Sequence, residues 1–181
     1  MDILLTHGYY MLEDEHEKQI MRPYPPLGIL YISAHLKAQG FAVEIFDTTF
    51  SSLSEFSAYI EHERPSLVGI YANMMTRRYV IQMIAICKAK GCQVVLGGPD
   101  PANYVENYLQ AGADIIVIGE GEVTLQELIP VLHSNNREQL ANVAGIAYPD
   151  KSGSVQRTLP RAYIDDLNTQ PIPDRAAINL R

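Results

Sequence analysis

Five short apolar runs recur along this chain, each followed by a stretch with helical spacing, and that alternation restricts the fold more than any other feature. The runs are Ile3 to Thr6, "AVEIFD" ending at Asp47, "LVGIYA" from Leu67, "CQVVLGG" from Cys92 and "DIIVIGEGE" from Asp114. Val, Ile and Leu fill them almost without polar alternation, the pattern of strands buried on both faces. The first predicted helix opens at Pro25-Pro26 and runs to about Gln39, with Leu27, Leu30, Tyr31, Ala34 and Ala38 marking its inner face. The second starts on the capping-box pair Ser52 and Glu55, and the third spans about Arg77 to Lys90. Tyr104, Val105, Tyr108 and Leu109 carry the fourth. Leu125, Leu128, Ile129 and Leu132 carry the fifth, where Pro130 predicts a kink or a short first segment.

Five βα units with right-handed crossovers predict a doubly wound α/β fold, flavodoxin-like or Rossmann-like, with five parallel strands in the order 2-1-3-4-5. After about Ala141 the pattern changes. "VAGIAYPDKSGSVQR" alternates and turns at Asp150 to Gly153, which predicts a β-hairpin. "DDLNTQPIPDRAAINLR" is polar and proline-containing, and predicts an extended linker. The expected division is therefore an α/β domain over 1–140 and a hairpin with linker over 141–181.

A chain of 181 residues can bury one core without disulfides or a structural metal. Its formal net charge of −7 argues against a nucleic-acid or anionic-membrane surface. No apolar run approaches the length of a membrane span, and "MDILLTH" does not read as a signal peptide. The two cysteines, Cys87 and Cys92, read as packed thiols and suggest a reducing cytoplasm, and their spacing fits no zinc pattern. The stretch from His7 to Tyr24, with "EDEHE" in it, reads as a charged loop.

Ligands of an open parallel sheet sit beyond the carboxyl ends of its strands. Gly97, Gly98 and Pro99 follow the fourth strand, and Gly119, Glu120, Gly121 and Glu122 follow the fifth. Tyr71, Ala72, Asn73, Met74 and Thr76 stand at the end of the third, and His7 and Gly8 at the end of the first. Glycines in such places either let a bulky planar group approach the backbone or simply make tight turns. Phosphate binding is disfavoured. There is no GxxxxGK[ST], no GxGxxG follows the first strand, and Glu120 and Glu122 would repel a phosphate. His7-Gly8-Tyr9-Tyr10 is not a hydroxyl-rich flavin-phosphate loop, and Thr6-His7 is not the acidic pair of a receiver domain.

"YPPLGILYISAHLKAQGFAVEIFD", "LVGIYANMMT", "VVLGGPDP", "DIIVIGEGEVTLQEL", "VAGIAYPDKSG" and "YIDDLNTQPIPDR" occur in that order. Together they resemble the N-terminal cobalamin-binding domain of cobalamin-dependent radical S-adenosylmethionine enzymes, over nearly the whole chain. The resemblance implies a cobalamin lying with its lower corrin face on the strand ends. Its dimethylbenzimidazole tail would be detached and slipped between the loops at Gly97–Pro99 and Gly119–Glu122, with Tyr71 to Thr76 lining the cleft and His7 and Gly8 nearby. It implies neither a catalytic residue nor a metal ligand from this chain. S-adenosylmethionine and a [4Fe–4S] cluster would belong to a barrel domain of the same polypeptide beyond the linker.

Departures from the family pattern are also legible. CxxxCxxC, which would hold the cluster, is absent, so this chain alone is not expected to perform the radical step. Asp100 stands where the family commonly has histidine after GGP. Asp14-x-His16-x-x-Gln19 lacks the glycine of the DxHxxG motif that supplies an axial histidine elsewhere, and reads as a solvated loop. His35 reads as a surface or edge residue of its helix. A reading of a different class is a cofactor-free interaction or regulatory module on the same fold. Under the corrinoid reading, Gly98→Leu or Gly119→Leu should abolish binding while the fold survives, whereas either should unfold the protein if its glycine has a positive φ.

Overall fold

The computed structural model describes residues 1–13, 15–134 and 136–178. Asp14 and the side chain of His16 lie outside the described residues, so the candidate axial motif is not placed.

The parallel strands are β1 (Ile3–His7), β2 (Val43–Phe46), β3 (Leu67–Tyr71), β4 (Gln93–Gly97) and β5 (Ile115–Val117), in the order β2-β1-β3-β4-β5. The sheet has seven strands rather than five. The expected hairpin, β6 (Ile146–Pro149) and β7 (Val155–Arg157), does not stand apart, because β6 pairs antiparallel with β5 and extends the same sheet. β5 would otherwise expose an unpaired apolar edge, and the hairpin covers it.

Helices cover both faces. On one side lie α3 (Leu53–Glu63), α4 (Arg77–Ala89) and the short pair α5 (Pro99–Asn103) and α6 (Val105–Gln110), whose Phe56, Ile60, Val80, Met83 and Tyr108 meet Leu4, Val68, Val94 and Ile116. On the other, α2 (Leu27–Ala38) and α7 (Gly121–His133) bring Ile29, Leu36, Leu125 and Leu128 onto Ile3, Leu5, Val95 and Ile115. Alternate residues of each strand feed opposite cores, as a pleated strand requires. α3 begins with both capping-box bonds of Ser52 and Glu55.

Several local expectations are corrected. The stretch from His7 to Tyr24 carries a turn of 3-10 helix (Met11–Glu13) and a short helix, α1 (Glu15–Ile20). The inner face of α2 is Ile29, Leu30, Ser33, His35 and Leu36, while Leu27 and Tyr31 are exposed. α2 is apolar on most of its circumference, so spacing alone did not select the face. The fourth helix starts earlier than expected, at Pro99, and breaks at Tyr104 into α5 and α6. α7 runs through Pro130 as one helix. The C-terminal segment, mostly without regular structure, lies along α2 and α7, where the Asp174 N–H donates to the Leu30 carbonyl at 3.1 Å. Among the described residues no helix is long and apolar enough to cross a membrane.

Candidate functional site

Across the carboxyl end of the sheet, His7 of β1 is in register with Tyr71 of β3, and Tyr71 with Gly97 of β4. The row beneath is Leu5, Gly69 and Val95, on the face that α2 and α7 cover. Gly97 and Gly69 have no side chain, and the sheet surface is hollowed there. A Cβ on Gly69 would come within 2.9 Å of a Leu5 methyl. Glycine inside a strand commonly marks such a close approach.

The hollow is a cavity of about 200 Å³. Leu5, Gly69, Val95 and Val117 form its floor, Ile29 and Ile32 of α2 one wall, and Leu125 of α7 the other. Gly28, Gly97, Gly98, Gly119 and Gly121 also line it. α7 starts close against α2, since a Cβ on Gly121 would lie 2.7 Å from Ile32 Cδ1. Among the lining residues the only charged side chain is Glu122, with no Lys, Arg or His. That chemistry suits a flat, uncharged, largely apolar group and not a phosphate. A roughly 150 Å³ apolar cavity takes benzene, so this one has room for a fused two-ring base.

A second cavity of about 130 Å³ adjoins the first, sharing Gly28, Ile29 and Tyr71. His7, Tyr9, Tyr24, Asn73 and Thr76 complete most of its wall. The rings of Tyr9 and Tyr24 stack at 5.4 Å. His7 is held rather than free. Its Nδ1 accepts from the Tyr9 N–H at 3.2 Å, so the ring proton sits on Nε2, 2.9 Å from Asp47 Oδ1. Burial pushes the Asp47 carboxyl up, but the hydrogen bonds from His7 and Thr49 outweigh it and hold the group at about 2. Asp47 is therefore an anion at neutral pH, and it orients His7.

The sequence-derived site residues divide into groups. Gly97, Gly98, Gly119, Gly121, Glu122 and Tyr71 meet at the first cavity, and His7, Asn73 and Thr76 with Tyr71 at the second. Asn73 and Thr76 shape the loop, because Asn73 Oδ1 accepts from the N–H groups of Met75 and Thr76. The remaining residues line neither cavity. Gly8 is packed so closely that a Cβ would lie 2.5 Å from Val80. Ala72 is buried, with its N–H donating to the Gly97 carbonyl at 2.9 Å. Pro99 is the first residue of α5. Glu120 turns away, its carboxylate accepting from the Ile164 N–H at 2.8 Å. Met74 is 71% exposed at the rim.

Asp100 has a structural task. It lies buried, accepts both Arg77 guanidinium bonds at 2.8 and 2.6 Å, and accepts from the Tyr108 hydroxyl at 2.5 Å. The Arg77 hydrogen bonds hold its carboxyl below the usual carboxylate range. Arg77 also stacks over Tyr104 at 4.5 Å. This cluster ties α4 to α5 and α6, directly after the Gly97–Gly98 turn. Sequence reasoning missed Gly28, Ile32 and Gly69 as site residues. A glycine in the first turn of a helix and one inside a strand each cost stability and were the available signals.

Residues 20–129 match the family model described as the B12 binding domain. The chain belongs to the B12-binding domain family. This B12-binding domain is 32% identical, over 82% of its length, to an uncharacterized methyltransferase of Pyrococcus horikoshii. It is 29% identical, over 80% of its length, to the anaerobic magnesium-protoporphyrin IX monomethyl ester cyclase of Synechocystis sp.. It spans only 33% and 30% of those two proteins. Its fold is shared with the cobalamin-dependent S-adenosylmethionine radical enzyme OxsB in its aqua-cobalamin-bound form, with a TM-score of 0.81 and 19% identity. That match covers 95% of the B12-binding domain and 24% of OxsB. Both cavities are lined largely from within the matched residues, at the strand ends where this sheet architecture places its ligands.

Proposed function

We propose that the domain holds a cobalamin whose nucleotide base is withdrawn from cobalt and seated in the cavity between α2 and α7. We further propose that it is the cofactor-binding part of a longer radical S-adenosylmethionine enzyme of methyltransferase or cyclase type. The observation that carries the first reading is the glycine-rimmed, largely apolar slot at the carboxyl ends of the strands, large enough for a two-ring base. The names of the two relatives and the fold shared with OxsB support the second.

Bound there, the corrinoid supplies a cobalt centre able to carry a methyl group or exchange electrons. The chain's own residues bind and orient it. Leu5, Val95, Val117 and Leu125 offer apolar contact to the base, and Gly28 and Gly97 leave its entrance open. Tyr71, 37% exposed and shared by both cavities, stands at the rim, where it would contact the bound corrinoid. His7 is fixed by Asp47 and Thr48 and presents an oriented ring edge to the second cavity. S-adenosylmethionine and a [4Fe–4S] cluster would be held by the rest of the enzyme. Cys87 and Cys92 are both buried here, and a cluster needs at least three thiolates.

The test is to mix the purified protein with hydroxocobalamin, desalt it, and record the visible spectrum with and without reductant. The expected result is about one retained equivalent with the spectrum of the detached-base form, as a single site saturated with ligand would give. A folded but colourless sample, from this chain and from the longer natural protein alike, would favour a cofactor-free module instead.

A further inference from the structure

The slot has one wall on α2 and the other on α7. α2 and α7 belong to separate βα units; each rests on the sheet through apolar side chains, and they meet each other directly where Ile32 packs against Gly121. Polar ties, one direct and the others through a third element, hold the two helices together beyond that contact. On α2, His35 is buried, with Nδ1 2.9 Å from Gln170 Oε1 and Nε2 2.8 Å from Gln126 Oε1 on α7. Each ring nitrogen thus has an amide partner, one on α7 and one on the C-terminal segment. Asp174 grips α2 from the same segment. Its carboxylate accepts from Ser33 Oγ at 2.7 Å and Lys37 Nζ at 2.6 Å, and its N–H donates to the Leu30 carbonyl. Arg161 grips α7, donating to Thr124 Oγ1 at 2.7 Å and pairing with Glu127. The segment from Arg161 to Asp174 is thus fastened to α7 at one end and to α2 at the other, and His35 joins all three.

These ties sit beside the slot and not in it. Leu30 and Ser33 flank the lining residues Ile29 and Ile32, and Gln126 follows the lining residue Leu125. His35, Gln126, Gln170 and Asp174 line neither cavity. We propose that His35, Gln170 and Asp174 are positioning residues that set the width of the slot, and so decide its preference for a corrinoid carrying its nucleotide tail over one without it. The proposal rests on the function proposed above. Side-chain packing gives the reason width matters, since an apolar wall displaced by roughly 0.5–1 Å already forfeits about a quarter to a half of its contact energy. A tail in a loosened slot loses that contact, whereas the corrin ring outside it does not.

The test uses the double variant Gln170→Ala/Asp174→Ala, which alters the segment and leaves both helices intact, with His35→Ala as a second variant. Dissociation constants are measured for hydroxocobalamin and for cobinamide, which lacks the nucleotide. Amide hydrogen exchange is followed in the ligand-free protein. The expected result is about tenfold weaker cobalamin binding with cobinamide binding unchanged, because lost ties of this kind are worth about 1.4 kcal/mol or more together. Exchange should quicken along α2 and α7. A wild-type ratio of the two affinities in both variants would overturn the proposal, even if thermal stability fell, because a merely structural role lowers stability without changing the ratio. If the wild-type protein binds both corrinoids equally, the slot reading fails and this proposal with it. If it prefers cobalamin and the variants do too, the slot reading stands and only this proposal fails.

Discussion

Gly28→Leu and Gly97→Leu are expected to cut cobalamin affinity by roughly 10- to 100-fold while leaving the fold intact, since overpacking a filled site costs about 1–3 kcal/mol. Both glycines line the first cavity, and a Cβ at either meets nothing within 4 Å. Neither has a positive φ. An added side chain therefore has room in the ligand-free protein and occupies space that the base would need. Gly28→Leu should hold or slightly raise thermal stability, because leucine favours a helix more than glycine does. Visible titration with circular dichroism checks both points, and wild-type affinity in both variants would contradict the location of the site. Gly98 and Gly119 are poorer choices. Gly98 has φ +107° and its Cβ would stand 2.3 Å from the Ala72 carbonyl oxygen, so Gly98→Leu breaks the turn itself, the outcome expected from sequence for a glycine of positive φ. Gly119 has open space around it but φ +93°, a strain for any side chain.

Asp100→Ala is expected to destabilise the protein by about 2–3 kcal/mol, because it leaves the buried Tyr108 hydroxyl and the Arg77 guanidinium without their shared acceptor. For a domain of this size that corresponds to a fall in Tm of roughly 4–12 °C. Calorimetric or circular-dichroism melting measures it. A second variant, Arg77→Ala, should lose less, since Arg77 is partly exposed and Asp100 keeps Tyr108 as a partner. Equal stability of Asp100→Ala and wild type would show that the cluster contributes nothing to the turn beside Gly97 and Gly98.

The order of the five parallel strands was legible because their runs are continuous and each is followed by a helical stretch, and the structure has the same order. The hairpin was legible as a hairpin but not as part of the sheet, since β6 finds its place through pairing with β5, a contact remote in sequence. His35 reads as a surface residue from sequence for a similar reason. Its partners are Gln170, 135 positions away, and Gln126, 91 positions away, and no local pattern announces them. At the site, the glycines after β4 and β5 stood out as paired strand endings. Gly69 did not, because the effect of its missing side chain depends on Leu5 across the ladder. Glu120 lay in a conspicuous motif, yet its carboxylate serves the backbone of Ile164.

The most direct measurement of the central claim compares the affinities of the wild-type protein for cobalamin and for cobinamide under the same conditions. If the slot between α2 and α7 receives the nucleotide base, burying about 100 Å² of its apolar surface at about 25 cal/mol per Å² favours cobalamin by about 2.5 kcal/mol, or roughly 70-fold. Equal affinities would contradict the account, because they would mean that the tail finds no site in this domain.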